Sequence, residues 1–214
     1  EIRLSLVGSE MCIRDSSESV HNGDWTSCPD FCYTLSPLAE LDGKTLGIIG
    51  FGSIGRRVAE IAETFGMKVL INSRSRKDLS AFKSAEQVEL SNLLSSSDYI
   101  TCHCPLTAET ENLINTNTLS QMKKTAVLIN TSRGPVVDEK ALADAINSGR
   151  IAGAALDVLR TEPADSANPL LTAKNCIITP HIAWAAKETR ARLLAILDKN
   201  IECYLGGNTQ NKVN

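Results

Sequence analysis

The 214-residue sequence lacks any long hydrophobic run and any marked excess of charge of one sign. No apolar stretch approaches the ~20 residues that a membrane-spanning helix needs. The formal net charge is −3 with acidic and basic residues interspersed, so no strong field would attract nucleic acid or an anionic membrane. Aromatic residues make up only 4%, but the 43% of hydrophobic residues is ample for a packed core. We therefore expect a globular protein that binds neither nucleic acid nor a membrane.

The seven cysteines also lack the spacing of a disulfide framework or a zinc site. Cys28 and Cys32, or Cys102 and Cys104 with His103, could begin a metal site, but no second ligand pair at zinc spacing follows. We expect no metal ion and reduced thiols, as in a cytoplasmic protein.

The first sixteen residues, EIRLSLVGSEMCIRDS, show no helical or strand period. They contain Glu1, Glu10 and Asp15, which suit neither a signal peptide nor a transit peptide. Their last six residues, MCIRDS, resemble translated sequencing-adapter DNA. We expect residues 1–16 to be an adapter artefact that is disordered, and the natural protein to begin upstream.

From Leu41 onward, short β-rich runs alternate with helical periods, which predicts a parallel sheet covered by helices. Six strands are predicted, at residues 45–50, 67–71, 98–102, 125–130, 152–157 and 175–179. The fold class is therefore α/β, a doubly wound parallel sheet.

Helical periods occupy the intervals between these strands. A short helix is predicted at residues 90–94, another after Asp138 as N-cap, and a closing helix at 188–205 that ends at two glycines. The helix predicted at residues 53–65 should bury one apolar face, which comprises Ile54, Val58, Ile61, Ala62 and Phe65.

The segment GFGSIG, residues 50–55, matches G-x-G-x-x-G between a predicted strand and a predicted helix. Gly50 permits the tight turn, Gly52 lets a pyrophosphate approach the backbone, and Gly55 lets the helix pack on the strand. Phosphates would lie at the helix N-terminus, where free N–H groups favour anions. The motif predicts a Rossmann dinucleotide-binding domain; the alternative is a tight turn without a ligand.

Three further segments follow the carboxyl ends of predicted strands, where open α/β sheets bind ligands. They are NTSRGPVVDEKAL around Arg133, ALDVLRTEP around Glu162 and ITPHIAW around His181. An arginine offers two parallel hydrogen bonds to a carboxylate, and a histidine held by a glutamate can transfer a proton near neutral pH. With a nicotinamide, these groups suffice to reduce a 2-keto acid. The structural alternatives are a surface charge, a turn cap and a turn histidine.

These motifs resemble those of the D-isomer-specific 2-hydroxyacid dehydrogenases, most closely the glycerate dehydrogenase or hydroxypyruvate reductase branch. The resemblance runs from about Val20 to the end, and its strongest segments are SPLAELDGKTLGIIGFGSIGRRVAEIAETFGMKV, INTSRGPVVDEKAL, AALDVLRTEPADSANPLL and TPHIAWA. It implies an NAD(P)-dependent oxidoreductase that acts on hydroxypyruvate or glyoxylate, with Arg133, Glu162 and His181 as catalytic residues. It also implies cofactor contacts at Ser53, Ile54, Ser73, Cys104, Pro105, Thr131, Ser132, Asp157, His181 and Ala183.

The resemblance further implies a domain organisation. Members of the family carry a substrate domain ahead of the dinucleotide-binding domain, and we expect this chain to be a fragment that lacks it and is poorly active. Residues 17–187 should form the dinucleotide-binding domain, with a dimerisation arm near residues 24–41 that makes a homodimer. Residues 188–214 should form a closing helix that packs partly on the missing domain.

The segment VLINSRSRK, residues 69–77, contains no aspartate or glutamate. NAD-binding domains of this kind place an acid at the end of the second strand, where it accepts hydrogen bonds from the ribose 2′-OH. Counting from the resemblance, Ser73 holds that position, and Arg74 and Arg76 follow it. These basic groups would bind a 2′-phosphate, so we predict that NADP(H) is preferred and NAD(H) accepted more weakly. The alternative is a solvated basic loop that leaves the ribose to Ser73 and Asn72.

Other functions of the same fold stay open at this point. One is a nucleotide-sensing, corepressor-like binding module, and another is phosphoglycerate dehydrogenase. The HIAWA segment, with Trp184, resembles the glycerate branch more closely than either. A formate dehydrogenase would carry glutamine in place of Glu162.

Overall fold

The computed structural model describes residues 9–35 and 38–211. Seven strands form one parallel sheet in the order β3-β2-β1-β4-β5-β6-β7. The central position of β1 between β2 and β4 confirms the predicted doubly wound α/β fold. The strands are β1 Thr45–Ile49, β2 Lys68–Asn72, β3 Ala85–Gln87, β4 Tyr99–Cys102, β5 Val127–Asn130, β6 Gly153–Leu156 and β7 Cys176–Ile178.

Six α-helices accompany these strands in the described residues. They are α1 Ser9–His21, α2 Ser53–Thr64, α3 Leu90–Ser96, α4 Thr116–Gln121, α5 Glu139–Asn147 and α6 Lys187–Leu205. The N-cap predicted at Asp138 is confirmed, because its carboxylate accepts the N–H of Ala141 at 3.0 Å. The predicted stop of the last helix is also confirmed, since Gly207, two residues beyond it, has a φ of 77°.

The edge strand β3 is missing from the six predicted strands. It pairs with β2 in parallel, with Val69 opposite Ala85 and Ile71 opposite Gln87. Its sequence, Ala-Glu-Gln, has neither a β-branched nor an aromatic residue, so composition does not distinguish it from a loop. The pairing with β2 is what makes it a strand.

The buried face of α2 differs from the prediction. Ala62 is buried together with Ala59, whereas Ile54 and Ile61 are 66% and 45% exposed. The start of the helix lies very close to the end of β1, because an added Cβ on Gly55 would overlap the carbonyl oxygen of Gly50 and lie 3.3 Å from the side chain of Ile48. Of the other predicted residues, Val58 and Phe65 are half-buried and pack against the core, so the prediction is wrong for Ile54 and Ile61 alone.

The N-terminal segment also differs from the prediction. Residues from Ser9 onward form α1, so the expected disorder of residues 1–16 is wrong over residues 9–16, while residues 1–8 lie outside the described part. No glycine or proline interrupts the stretch from Ser9 to His21, so backbone propensity permits a helix. The proposed adapter origin of this segment is a separate hypothesis and stays a prediction.

The chain divides into two compact units, Glu1–Ile178 and Thr179–Asn214. The first contains the sheet and its buried core, and the second contains α6, of which no residue is buried. The functional division predicted at residues 187 and 188 stays a prediction. Within the described ranges, no helix is both long and apolar enough to span a bilayer.

Candidate cofactor and substrate site

The glycine-rich turn leaves the carboxyl end of β1 in close contact with the chain that follows β4. Gly50 has a φ of 95°, a conformation that glycine adopts without strain. A Cβ there would lie 2.6 Å from the backbone nitrogen of Cys104. Two backbone hydrogen bonds fix the turn: Gly50 N–H donates to Asn72 at 2.9 Å, and His103 N–H donates to Ile49 at 2.7 Å.

The N-terminus of α2 has the features of a phosphate site. Gly52 is the N-cap and offers no side-chain hydrogen bond to the first turn, which also carries no acidic residue. The first N–H groups of a helix have no acceptor within the helix, so an anion can accept from them. A Cβ on Gly52 would meet no atom of the described chain within 4 Å, so its backbone borders open space. These features fit a dinucleotide pyrophosphate at the exposed Ser53 and Ile54.

The loop after β2 carries the basic residues at the predicted ribose position. Ser73 is half-buried, and Arg74 and Arg76 are exposed. Arg74 Nη1 lies 3.6 Å from Glu109 Oε2, in the segment that follows β4. The side chain of Asn72 donates to the carbonyl of Val88 at 3.1 Å, which directs its amide nitrogen toward β3. β1 and β2 are parallel, so the loop presents Arg74 and Arg76 at the same edge of the sheet as the glycine-rich turn.

The end of β4 forms an apolar wall beside the turn. Burial raises the pKa of the Cys102 and Cys104 thiols, so both are neutral at neutral pH. Burial likewise lowers the pKa of His103, whose Nε2 lies 3.0 Å from Thr101 Oγ1. Pro105 follows and is exposed. Among the described residues, no group of three or more His, Cys, Asp or Glu side chains could hold a metal ion.

Asn130 organises the loop that carries Arg133. Asn130 is buried at the end of β5, where its Nδ2 donates to the carbonyl of Arg133 at 2.9 Å. Its Oδ1 accepts from both the N–H and the hydroxyl of Ser132, at 3.0 and 2.8 Å. Thr131 and Arg133 are exposed, and Arg133 Nη1 donates to the carbonyl of Ser132 at 2.7 Å. The sequence analysis missed Asn130, although a polar residue at the end of an apolar strand was a usable signal.

The loop with Arg133 lies against the segment that leads to Glu162. A Cβ on Gly134 would overlap the backbone of Leu159, so this contact requires glycine. Glu162 is exposed and one of its carboxylate oxygens accepts the N–H of Leu159 at 3.0 Å, the turn contact that was the structural alternative for this residue. Asp157 is buried, and its N–H donates to the carbonyl of Asn130 at 2.9 Å. The first unit thus brings together the predicted site residues that follow β5 and β6.

His181 and Ala183 belong to the second unit. Both are exposed, and His181 has a φ of 53°, in the left-handed region. Its N–H donates to the carbonyl of Thr179 at 3.0 Å, which closes a tight turn centred on Pro180. The assignment of His181 as proton donor stays a prediction.

Fold and turn together define a dinucleotide-binding domain of the Rossmann type. The family model for the D-isomer specific 2-hydroxyacid dehydrogenase, NAD binding domain, matches residues 8–183. A hydroxypyruvate reductase of Blautia hydrogenotrophica is 48% identical over 207 residues, which are 96% of this chain and 64% of that protein. A glycerate dehydrogenase of Methylorubrum extorquens is 43% identical over 199 residues, 92% of this chain and 61% of that protein.

A solved structure is similar over most of the chain. The acyclic imino acid reductase in complex with NADPH and D-Arg aligns with a TM-score of 0.81 at 37% identity, covering 94% of this chain and 62% of that chain. This chain therefore belongs to the D-isomer-specific 2-hydroxyacid dehydrogenase family and carries its NAD-binding domain. It spans less than two thirds of the length of these relatives.

Proposed function

We propose that this chain is the cofactor-binding part of an oxidoreductase that transfers a hydride between a nicotinamide cofactor and a small 2-hydroxy or 2-keto acid. Hydroxypyruvate and glyoxylate are the proposed keto acids. The observation that carries the proposal is the position of the Arg133 loop, which follows β5 at the same sheet edge as the turn from Gly50 to Gly55. In open α/β sheets this edge binds the ligands.

The proposed roles follow from the chemistry of each side chain. Arg133 binds the substrate carboxylate through two parallel hydrogen bonds, and Asn130 holds the backbone from which it extends. His181 donates a proton to the carbonyl oxygen as negative charge develops there. Glu162 orients His181 and stabilises its protonated form. The nicotinamide, when bound, supplies or accepts the hydride.

We also propose that NADP(H) is preferred over NAD(H). Two observations support this preference: no carboxylate occupies the end of β2, and two arginines follow Ser73. A 2′-phosphate there would gain charge-assisted hydrogen bonds. The phosphate has to compete with Glu109 for Arg74, which reduces the binding free energy that it gains from this arginine.

A homodimer through the first unit is part of the proposal. The segment proposed as its arm exposes large apolar side chains in its described part: Trp25, Phe31, Leu35 and Leu38. Exposed apolar side chains grouped in one segment indicate an interaction surface. A cytoplasmic location stays a prediction.

Reductase assays on a full-length enzyme would test the activity. We expect NADPH oxidation that depends on hydroxypyruvate or glyoxylate. Arg133→Lys keeps the charge but loses the planar fork, so kcat/KM for the keto acid should fall by about tenfold or more while cofactor affinity hardly changes. Arg57→Lys, a change at an exposed arginine that pairs with Glu60 on α2, is the matched control and should behave as wild type. Absence of keto-acid-dependent turnover would contradict the proposal.

The cofactor preference has its own test, the ratio of kcat/KM for NADPH to kcat/KM for NADH. Ser73→Asp and Arg74→Ala should each lower this ratio by about tenfold, because one adds repulsion and the other removes a cation. A wild type that prefers NADH, or a ratio unchanged by Arg74→Ala, would show that the basic loop is only a solvated surface.

A further inference from the structure

One side chain holds the loop that follows β2. Gln87 Oε1 accepts the N–H of Lys77 at 2.9 Å, and its Nε2 donates to the carbonyls of Ser73 and Ser75 at 3.1 and 3.0 Å. Both amide hydrogens and the amide oxygen are thus used on the backbone of residues 73–77. These residues lie in neither a helix nor a strand, so this contact replaces the missing backbone ladder.

The strand pairing fixes the position of Gln87 itself. It is the last residue of β3 and lies opposite Ile71 in β2. Val88 N–H donates to the carbonyl of Ile71 at 2.8 Å, and the side chain of Asn72 donates to the carbonyl of Val88 at 3.1 Å. The backbone at Gln87 is therefore fixed to the end of β2, and this fixes the position from which its half-buried side chain extends.

We propose that Gln87 is a positioning residue for recognition of the ribose 2′-phosphate. This inference rests on the proposed cofactor role of residues 73–77. Arg74 and Arg76 are long and exposed, so each gains little from a phosphate if its backbone must first be ordered. Gln87 orders the backbone of residues 73–77 before the nucleotide binds, so less entropy is lost on binding. It thereby contributes to the choice between NADP(H) and NAD(H).

Only an amide of this length satisfies all three contacts. A glutamate has no donor and would set a carboxylate against the carbonyls of Ser73 and Ser75. Methionine has a similar length without hydrogen bonds, and asparagine keeps the amide on a shorter arm. Gln87→Met and Gln87→Asn therefore remove the contacts in two different ways. Gln121→Met is the matched control, because the amide of Gln121 donates to the carbonyl of Asn117 in its own helix.

The experiment measures dissociation constants of 2′,5′-ADP and 5′-AMP for the 214-residue chain, together with hydrogen exchange at the Lys77 amide. In Gln87→Met we expect a dissociation constant for 2′,5′-ADP about tenfold higher and one for 5′-AMP changed less than about twofold. Gln87→Asn should show an intermediate loss. The Lys77 amide should exchange faster in both variants, and Gln121→Met should match the wild type.

Several outcomes would overturn the inference. An equal loss for both nucleotides, or faster exchange at Lys77 with an unchanged ratio of the two dissociation constants, would make Gln87 merely structural. If the wild type binds 5′-AMP more tightly than 2′,5′-ADP, the proposed preference for NADP(H) is wrong. The inference is then decided by whether Gln87→Met changes the ratio of the two dissociation constants. A wild type that binds neither nucleotide contradicts the proposed function and the inference together.

Discussion

His181 combines a proposed chemical role with an unusual backbone conformation. Its φ of 53° lies in a region that asparagine and glycine adopt more easily than most residues. A glutamine or alanine variant would therefore change both the side chain and the local backbone preference. Asparagine is the better replacement, because it suits the backbone and has no group that can act as an acid.

We expect His181→Asn to lower kcat for hydroxypyruvate reduction in the full-length enzyme by ~10² or more, the range for loss of a general acid. The affinity for NADPH and the thermal unfolding midpoint should stay close to those of the wild type. Steady-state kinetics, nucleotide titration and thermal unfolding measure the three quantities. A nearly normal kcat would exclude His181 as the proton donor.

Two glycines at the start of α2 are expected to have different roles, one in folding and the other in ligand binding. A Cβ on Gly55 would overlap the carbonyl of Gly50, whereas a Cβ on Gly52 would extend into space that no described residue occupies. The same substitution at two positions of one turn should therefore have different consequences. One position is needed for packing, and the other for the approach of a ligand.

Gly55→Ala should lower the free energy of unfolding by about 1–3 kcal/mol, as overpacking does. Gly52→Ala should leave it nearly unchanged but raise the dissociation constant for NADPH by about tenfold, since the methyl group obstructs the pyrophosphate. Chemical denaturation and nucleotide titration of the same two variants provide the measurements. If Gly52→Ala binds NADPH as the wild type does, the pyrophosphate does not lie on this turn.

Asp98 ties three segments together at the amino end of the sheet. One carboxylate oxygen accepts the N–H of Thr45 at 2.9 Å, and the other lies 2.9 Å from Lys123 Nζ. Burial acts to raise the pKa of Asp98, but the hydrogen bonds from Lys123 and Thr45 outweigh it and hold the pKa below the usual 3.8. A depressed pKa in the folded state means that the contacts stabilise the fold above pH 3.8 and are lost as the pH falls below it.

Asp98→Asn should therefore cost about 1 kcal/mol of unfolding free energy at neutral pH, and the difference from the wild type should shrink below pH 4. Denaturation at a series of pH values measures both. Asp144→Asn is the matched control, because Asp144 pairs with Lys140 on the exposed side of α5 and such pairs contribute little. A difference for Asp98→Asn that is constant across the pH range would contradict this account.

The match to the hydroxypyruvate reductase and the glycerate dehydrogenase covers 64% and 61% of the length of those proteins. Helix α6 exposes apolar side chains along its length. These include Leu193, Leu194, Leu197 and Ile201. A reaction that needs water excluded from the substrate requires a cleft enclosed on both sides. Arg133 and Glu162, both proposed for the reaction, are exposed in the first unit.

We expect the 214-residue chain to bind nucleotide but to reduce hydroxypyruvate slower than a full-length enzyme by ~10² or more, because the substrate is incompletely positioned. Parallel assays at equal concentrations of folded protein measure the ratio. Comparable turnover by the 214-residue chain would show that it contains a complete site.

The periodic elements and the nucleotide turn were predictable from local patterns. Alternating β-rich runs and helical periods predicted six of the seven strands, and G-x-G-x-x-G predicted the turn at Gly50, because these signals depend on neighbours along the chain. The polar supports of the site were not predictable in this way. Asn130 and Gln87 each act on a loop through hydrogen bonds that depend on where the strands end.

The amino-acid sequence was therefore sufficient to predict the fold class, the family and the residue types available for chemistry. Three-dimensional packing was needed for the edge strand β3, for the burial of Ala59 and the exposure of Ile54 and Ile61 in α2, and for the contact of Gly134 with Leu159. The reason is physical: a local pattern reports which side of an element is apolar, but not how closely another element approaches it. Close approach selected small residues at α2, and pairing with β2 made a strand of a sequence with no strand preference.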